Sequence, residues 1–251
     1  MKHIPNLFTL INLFFGCIAI VYILQNGIII SADEDGTQLV VIPEKIWLGS
    51  LFIGLAAVVD FLDGFVARLF KATSEMGKQL DSLADVVSFG VAPGMIVYQF
   101  LRLSFANEPG GIEVSIAWLF PAFLIPCAAA YRLARFNLDA SQQFGFKGVP
   151  APAAGLLVAS MPLIFWYSQN ETAIELLKNK WLWYAFALVL SWLMISTLPL
   201  MALKFTNFSA KSNMPKVILL LVAIIAAIFL QWLAVPLVFI IYIIVSLAFK
   251  K

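Results

Sequence analysis

The chain reads as an all-α, polytopic membrane protein, a bundle of about eight spanning helices forming one domain over residues 1–251. Three observations carry that reading. Of its 251 residues, 62% are hydrophobic and only 12% charged, with a mean hydropathy of +0.95; a soluble domain of that balance could not cover its surface with polar groups. Apolar runs of roughly 20 residues, the length a bilayer core demands, recur along the whole chain. The connections between those runs are short and hold most of the charge.

Taken in order, the spans fall at about 7–30, 47–70, 79–104, 114–136, 152–168, 180–200, 216–233 and 235–249. The first follows Pro5-Asn6 and has no small-residue cleavage signal behind it, so it is a retained helix and not a signal peptide. Residues 31–46 form an acidic external linker. Asn170-Glu171-Thr172 matches a glycosylation triplet, read as chance in so short a loop. The 201–215 segment mixes aromatics with lysines and is expected to lie along the inner membrane surface. The last two spans, 216–249, make a C-terminal helical pair, its final member short and starting near Pro236.

Orientation follows from the basic residues. Of the 16 Lys and Arg, all but Lys45, Arg102, Lys178 and Lys180 fall on the side that holds both termini. Positive charge accumulates in the cytoplasm, so both termini and the mouth of the site face inward from a cell membrane. A net charge of +2 without a long basic run excludes a nucleic-acid partner. Cys17 and Cys127 sit in apolar runs, which argues against a disulfide framework or a zinc site. His3 is the only histidine, leaving His-based triads without material.

The chemistry concentrates in residues 60–85, Asp60-x2-Asp63-Gly64-x2-Ala67-Arg68-x8-Gly77-x3-Asp81-x3-Asp85. Residues three or four apart share a helical face, so Asp60/Asp63 and Asp81/Asp85 are two acidic faces that can oppose each other. Four carboxylates inside apolar segments are costly unless something offsets them. Hard oxygen ligands suit Mg²⁺ or Mn²⁺, and four of them suit two ions, a pair able to clamp a diphosphate. Gly64 and Ala67 let a ligand or helix approach closely. Arg68 can fork onto a phosphate oxygen, and Gly77, placed just before the third helix, permits a tight turn or a flat base. The competing structural reading pairs Asp60 and Asp63 with Arg68 and Lys78 as buried ion pairs.

With every fixed position matched over these 26 residues, the pattern resembles the signature of the CDP-alcohol phosphotransferases. The resemblance implies a six-helix core plus the C-terminal hairpin, a homodimer, two metal ions, a CDP-linked lipid and release of CMP. It implies that Asp60, Asp63 and Asp81 hold one metal, that Asp60, Asp81 and Asp85 hold the other, and that Asp85 is the general base. It also assigns Gly64, Arg68 and Ser74 to the nucleotide diphosphate, with Asn6 to Thr9 contributing to the same site.

A second stretch, Tyr131-Arg132-Leu133-Ala134-Arg135-Phe136-Asn137 with Phe144 to Ala154, looks like the bacterial and archaeal phosphatidylserine synthases of that family. The expected reaction is transfer of phosphatidyl from CDP-diacylglycerol to L-serine in one displacement. Arg132 and Arg135 share a face and fit a carboxylate; Asn137 and Lys147 complete the expected acceptor set. A phosphorylated acceptor would welcome two arginines equally, so phosphatidylglycerophosphate and phosphatidylinositol phosphate synthesis stay open, and so does archaetidylserine synthesis, which differs in the lipid and not in the acceptor. So do membrane anchoring by these arginines, a prenyltransferase, whose acidic motif lacks the Gly-x2-Ala-Arg continuation, and a cation transporter, which would usually show two related halves.

Overall fold

The computed structural model describes residues 4–25, 28–32, 38–69, 74–138, 146–201 and 210–248. Among them, helical runs long and apolar enough to cross a membrane are Pro5–Gln25, Glu44–Val66, Glu75–Ala106, Ile116–Leu138 and Met214–Ala248. Ala151–Tyr167 and Lys180–Ile195 are shorter apolar helices. The chain is a multi-pass membrane helical protein.

Helix α1 (Ile4–Gln25) lies along α2 (Trp47–Leu69). Tyr22 stacks on Phe52 at 5.5 Å between ring centroids, and Phe15 tilts against the same ring. Their connection is not the featureless linker expected: β1 (Ile29–Ala32) pairs antiparallel with β2 (Gln38–Val41), Ile29 opposite Val41. Runs rich in Ile and Val favour that pairing despite the acidic residues between them.

The third run begins earlier than the apolar pattern suggests. Ser74 caps α3 (Glu75–Val86), its hydroxyl accepting the Gly77 N–H at 3.0 Å, as serine does for an orphan donor of a first turn. Gly77 is therefore inside the helix, a correction to its expected place before it. A π-helical segment, Val87–Val91, joins α3 to α4 (Ala92–Ala106) without a break. The extra residue in that turn resets the faces, with Asp81 and Asp85 toward α1 and α2 and Ile96, Phe100 and Leu103 fully buried in the core. Phe100 stacks on Trp183 at 4.7 Å, and the Trp183 indole N–H donates to the Leu177 carbonyl at 2.7 Å.

A 3-10 stretch, Ile116–Phe123, runs into α5 (Leu124–Leu138). Then come α6 (Ala151–Tyr167), the short α7 (Glu171–Leu177) and α8 (Lys180–Ile195). The glycosylation triplet has a structural use: Asn170 caps α7, its side-chain oxygen accepting from the Ala173 N–H at 3.0 Å. Past α8, β4 (Pro199–Leu200) pairs with β3 (Phe146–Lys147), so the sixth span ends as a helix at Ile195. The segment expected on the inner membrane surface falls mainly on 202–209, outside the described residues.

The apolar run 214–248 is broken where Gln231 takes a positive φ of 49°, between α9 (Ala210–Leu230) and α10 (Ala234–Ala248). The turn Phe229–Leu233 sits beside Ser168–Asn170. From there α10 returns along α6 and β4, and the Tyr242 hydroxyl donates to the Met201 carbonyl at 3.0 Å. The C-terminal pair is thus a hairpin.

Candidate active site

The second half of α2 carries Asp60 and Asp63, and α3 carries Asp81 and Asp85. One oxygen from each of Asp60, Asp63 and Asp81 lies within 4.8 Å of the others. Asp85 comes within hydrogen-bonding reach of Asp60. Asp63 and Asp85 are buried, and Asp60 and Asp81 are half-buried.

These carboxylates are not neutralised by Lys78, whose ammonium donates instead to the Asn137 carbonyl at 2.8 Å. The side chains of Ala67 and Arg68 lie outside the described residues. Asp81 Oδ1 is buried and has no hydrogen-bond partner among them. Gathered, partly desolvated acidic oxygens with an orphan among them fit a hard divalent cation.

Helix α1 supplies support from two turns. The Thr9 hydroxyl reaches Asp63 Oδ2 at 2.9 Å. Asn12, with no exposed surface, donates from Nδ2 to Asp85 Oδ1 at 3.1 Å. The Ser88 hydroxyl, from the π-helical segment, donates to the Asn12 carbonyl at 3.0 Å. A side chain at Gly16 would collide with that hydroxyl, so the glycine sets how closely α1 approaches.

Beside the carboxylates a cavity of about 470 Å³ opens. Asn6, Thr9, Gly64, Ser74 and Gly77 line it together with Asp63 and Asp81. The nucleotide-site residues expected from the sequence and described here thus share one space. Pro5 and Glu75, not singled out by sequence reasoning, also line it, as does Lys78, read there as an ion-pair partner of the acidic residues.

The expected acceptor residues separate. Arg132 is 5% exposed and stands in the electrostatic field of Asp85, with its guanidinium over the Phe136 ring at 5.7 Å. Arg135 binds backbone: Nη1 donates to the Ile195 carbonyl at 2.6 Å, and Nη2 to those of Ser196 at 2.8 Å and Lys147 at 3.3 Å. Asn137 donates to the Ser82 hydroxyl at 2.7 Å, tying α5 to α3. Lys147 meets this group through its carbonyl in β3. Sequence reasoning also missed Asn12 and Ser88; an amide inside an apolar span is a signal that could have found Asn12.

A bundle that sets four carboxylates beside a cavity at one end of its helices defines a class, and the chain belongs to the CDP-alcohol phosphatidyltransferase family, whose model matches residues 2–191. Among its relatives, a CDP-diacylglycerol–serine O-phosphatidyltransferase of Helicobacter pylori is 33% identical, covering 87% of this chain and 78% of that protein. One of the same name from Bacillus subtilis is 31% identical, covering 66% of this chain and 78% of its own length. An archaetidylserine synthase of Methanothermobacter thermautotrophicus is 33% identical over 47% of this chain and 48% of that protein.

Proposed function

We propose that this chain transfers the phosphatidyl group of CDP-diacylglycerol to L-serine, forming phosphatidylserine and CMP, on the cytoplasmic face of a cell membrane. The observation that carries the reading is the meeting of Asp60, Asp63 and Asp81 beside a cavity walled by Asn6, Ser74 and Gly77. The relatives' names favour serine as acceptor.

Asp60, Asp63, Asp81 and Asp85 would hold one or two Mg²⁺ or Mn²⁺ ions, which supply positive charge to the diphosphate and its leaving group. Asn6, Thr9, Gly64, Ser74 and Gly77 line the space for the nucleotide diphosphate, and the motif assigns Ala67 and Arg68 to the same ligand. Asp85 accepts the proton of the serine hydroxyl, and Asn12 fixes one of its oxygens for that role. The serine oxygen forms a bond to the lipid-side phosphorus as the bond from that phosphorus to the bridging oxygen breaks. The electron pair leaves on CMP. Arg132, buried near Asp85, is the group for the serine carboxylate. The basic residues at this end of the bundle support a cytoplasmic mouth.

The deciding experiment is a CMP-release assay on purified protein with CDP-diacylglycerol and a panel of serine, inositol, inositol phosphate and glycerol 3-phosphate. Serine is expected to be consumed with the highest kcat/KM. Preference for a phosphorylated alcohol would replace the acceptor, and release of CMP with none of them would remove the reaction.

A further inference from the structure

Two buried polar atoms near Asp85 have no hydrogen-bond partner among the described residues. Asn12 uses its amide N–H on Asp85, but its Oδ1, in a side chain with no exposed surface, accepts no hydrogen bond among the described residues. Arg132 is 95% buried, and its Nε likewise has no partner. An unmet buried acceptor costs about 1–3 kcal/mol, and such groups are met by a bound water, an ion or a ligand, or serve a catalytic role. Asn12 reaches Asp85 from α1, and Arg132, on α5, is near enough to Asp85 to feel its charge.

We propose that Asn12, Asp85 and Arg132 form a three-point subsite for a zwitterionic hydroxy-amino acid, in which Asn12 Oδ1 receives the substrate ammonium. The proposal rests on the serine-acceptor reading above and adds to it the group that recognises the amine. The assignment follows from donor and acceptor inventory. The guanidinium is donor only and suits the carboxylate; the Asp85 carboxylate is acceptor only and suits the reacting hydroxyl. The amide oxygen is a neutral acceptor and suits an ammonium. Glycerol phosphate and inositol phosphate bring no ammonium, so both would leave Asn12 Oδ1 unmet. A site built around a substrate N–H rejects analogues that lack it, because its own polar group stays unpaired. Specificity for an amino acid over other alcohols thus resides partly in α1, outside the acidic motif.

The test compares acceptors that each lack one group, using the full-length purified protein, CDP-diacylglycerol and Mn²⁺. In the wild type, L-serine should exceed 3-hydroxypropionate, which lacks the ammonium, by about 10- to 100-fold in kcat/KM, the range of one charge-assisted hydrogen bond. Because Asn12→Leu also releases the Asp85 oxygen that Asn12 holds, it should lower turnover of both acceptors, but that of L-serine about 10- to 100-fold further, so that the variant uses the two within about threefold of each other. CDP affinity measured by calorimetry reports whether the variant is folded. Equal use of the two acceptors by the wild type overturns the proposal without any variant. Equal loss of both in a folded Asn12→Leu overturns it too, making Asn12 a support for Asp85 alone. If the wild type instead prefers glycerol 3-phosphate to L-serine, the acceptor reading itself falls and this subsite with it.

Discussion

The Thr9 hydroxyl donates to Asp63 Oδ2 at 2.9 Å, joining the first turns of α1 to a carboxylate 54 residues away. The same hydroxyl lies 3.2 Å from the Pro5 carbonyl, so its position is set by helix geometry. A neutral donor that orients a carboxylate without cancelling its charge is what a metal ligand needs from its surroundings. Thr9→Val keeps the shape and removes the donor. It should weaken Mn²⁺ binding by about 10- to 100-fold, as loss of such outer partners commonly does. Titrating CMP release against Mn²⁺ measures this; an unchanged half-saturation point would detach Thr9 from the metal.

Asp81 has a buried oxygen with no hydrogen-bond partner among the described residues, beside like charges on Asp60 and Asp63. Removing one charge from that group relieves repulsion in the metal-free protein. Asp81→Asn should therefore abolish CMP release and leave the metal-free melting temperature equal or higher. Adding Mn²⁺ at about 100 times its dissociation constant should stabilise the wild type by about 2.7 kcal/mol and the variant hardly at all. EDTA should stop wild-type turnover, and Mg²⁺ or Mn²⁺ should restore it. Turnover indifferent to chelation would contradict a metal at these residues.

How much of this was legible in the sequence depends on how local each cause is. Asp60, Asp63, Asp81 and Asp85 announce themselves because charge inside an apolar run has few explanations. The helices announce themselves because the bilayer sets their length. Gly77 was misplaced because the polar run Ser74-Glu75-Met76-Gly77-Lys78 reads as a loop; the serine cap that makes it a first turn is a subtler mark. The π-helical segment Val87–Val91 leaves no trace in composition, since one added residue changes the faces and not the hydrophobicity. Arg135 looks like an anion-binding residue until the carbonyls of Ile195 and Ser196, 60 and 61 residues away, are brought to it.

Gly16 of α1 packs directly against Ser88 of the π-helical segment. A methyl group there would push the helices apart and strain both links of the chain from Ser88 through Asn12 to Asp85. Overpacking of this kind costs about 1–3 kcal/mol. Gly16→Ala should lower kcat by about tenfold, equivalent to 1.4 kcal/mol, with the KM for CDP-diacylglycerol little changed. Ser88→Ala in the same background should recover part of the loss, because it removes the atom in the way. No recovery in the double variant would place the damage elsewhere.

Arg135 is held by three carbonyls that belong to separate segments, Lys147 in β3 and Ile195 and Ser196 at the end of α8. Gly148 follows directly, with φ at +76° and no room for a side chain against the Met194 carbonyl. This corner closes α5, the β3–β4 ladder and α8 around one guanidinium. Hydrogen bonds to a charged group contribute about 1.5–3 kcal/mol each, and a lysine cannot reproduce the fork. Arg135→Ala and Arg135→Lys should both lower the melting temperature in detergent by several degrees, the alanine more. Whatever activity survives should show its loss spread evenly over both substrates, since the corner supports the whole end of the bundle. A selective rise in the serine KM at unchanged melting temperature would instead make Arg135 a substrate contact and return the carboxylate site to both arginines.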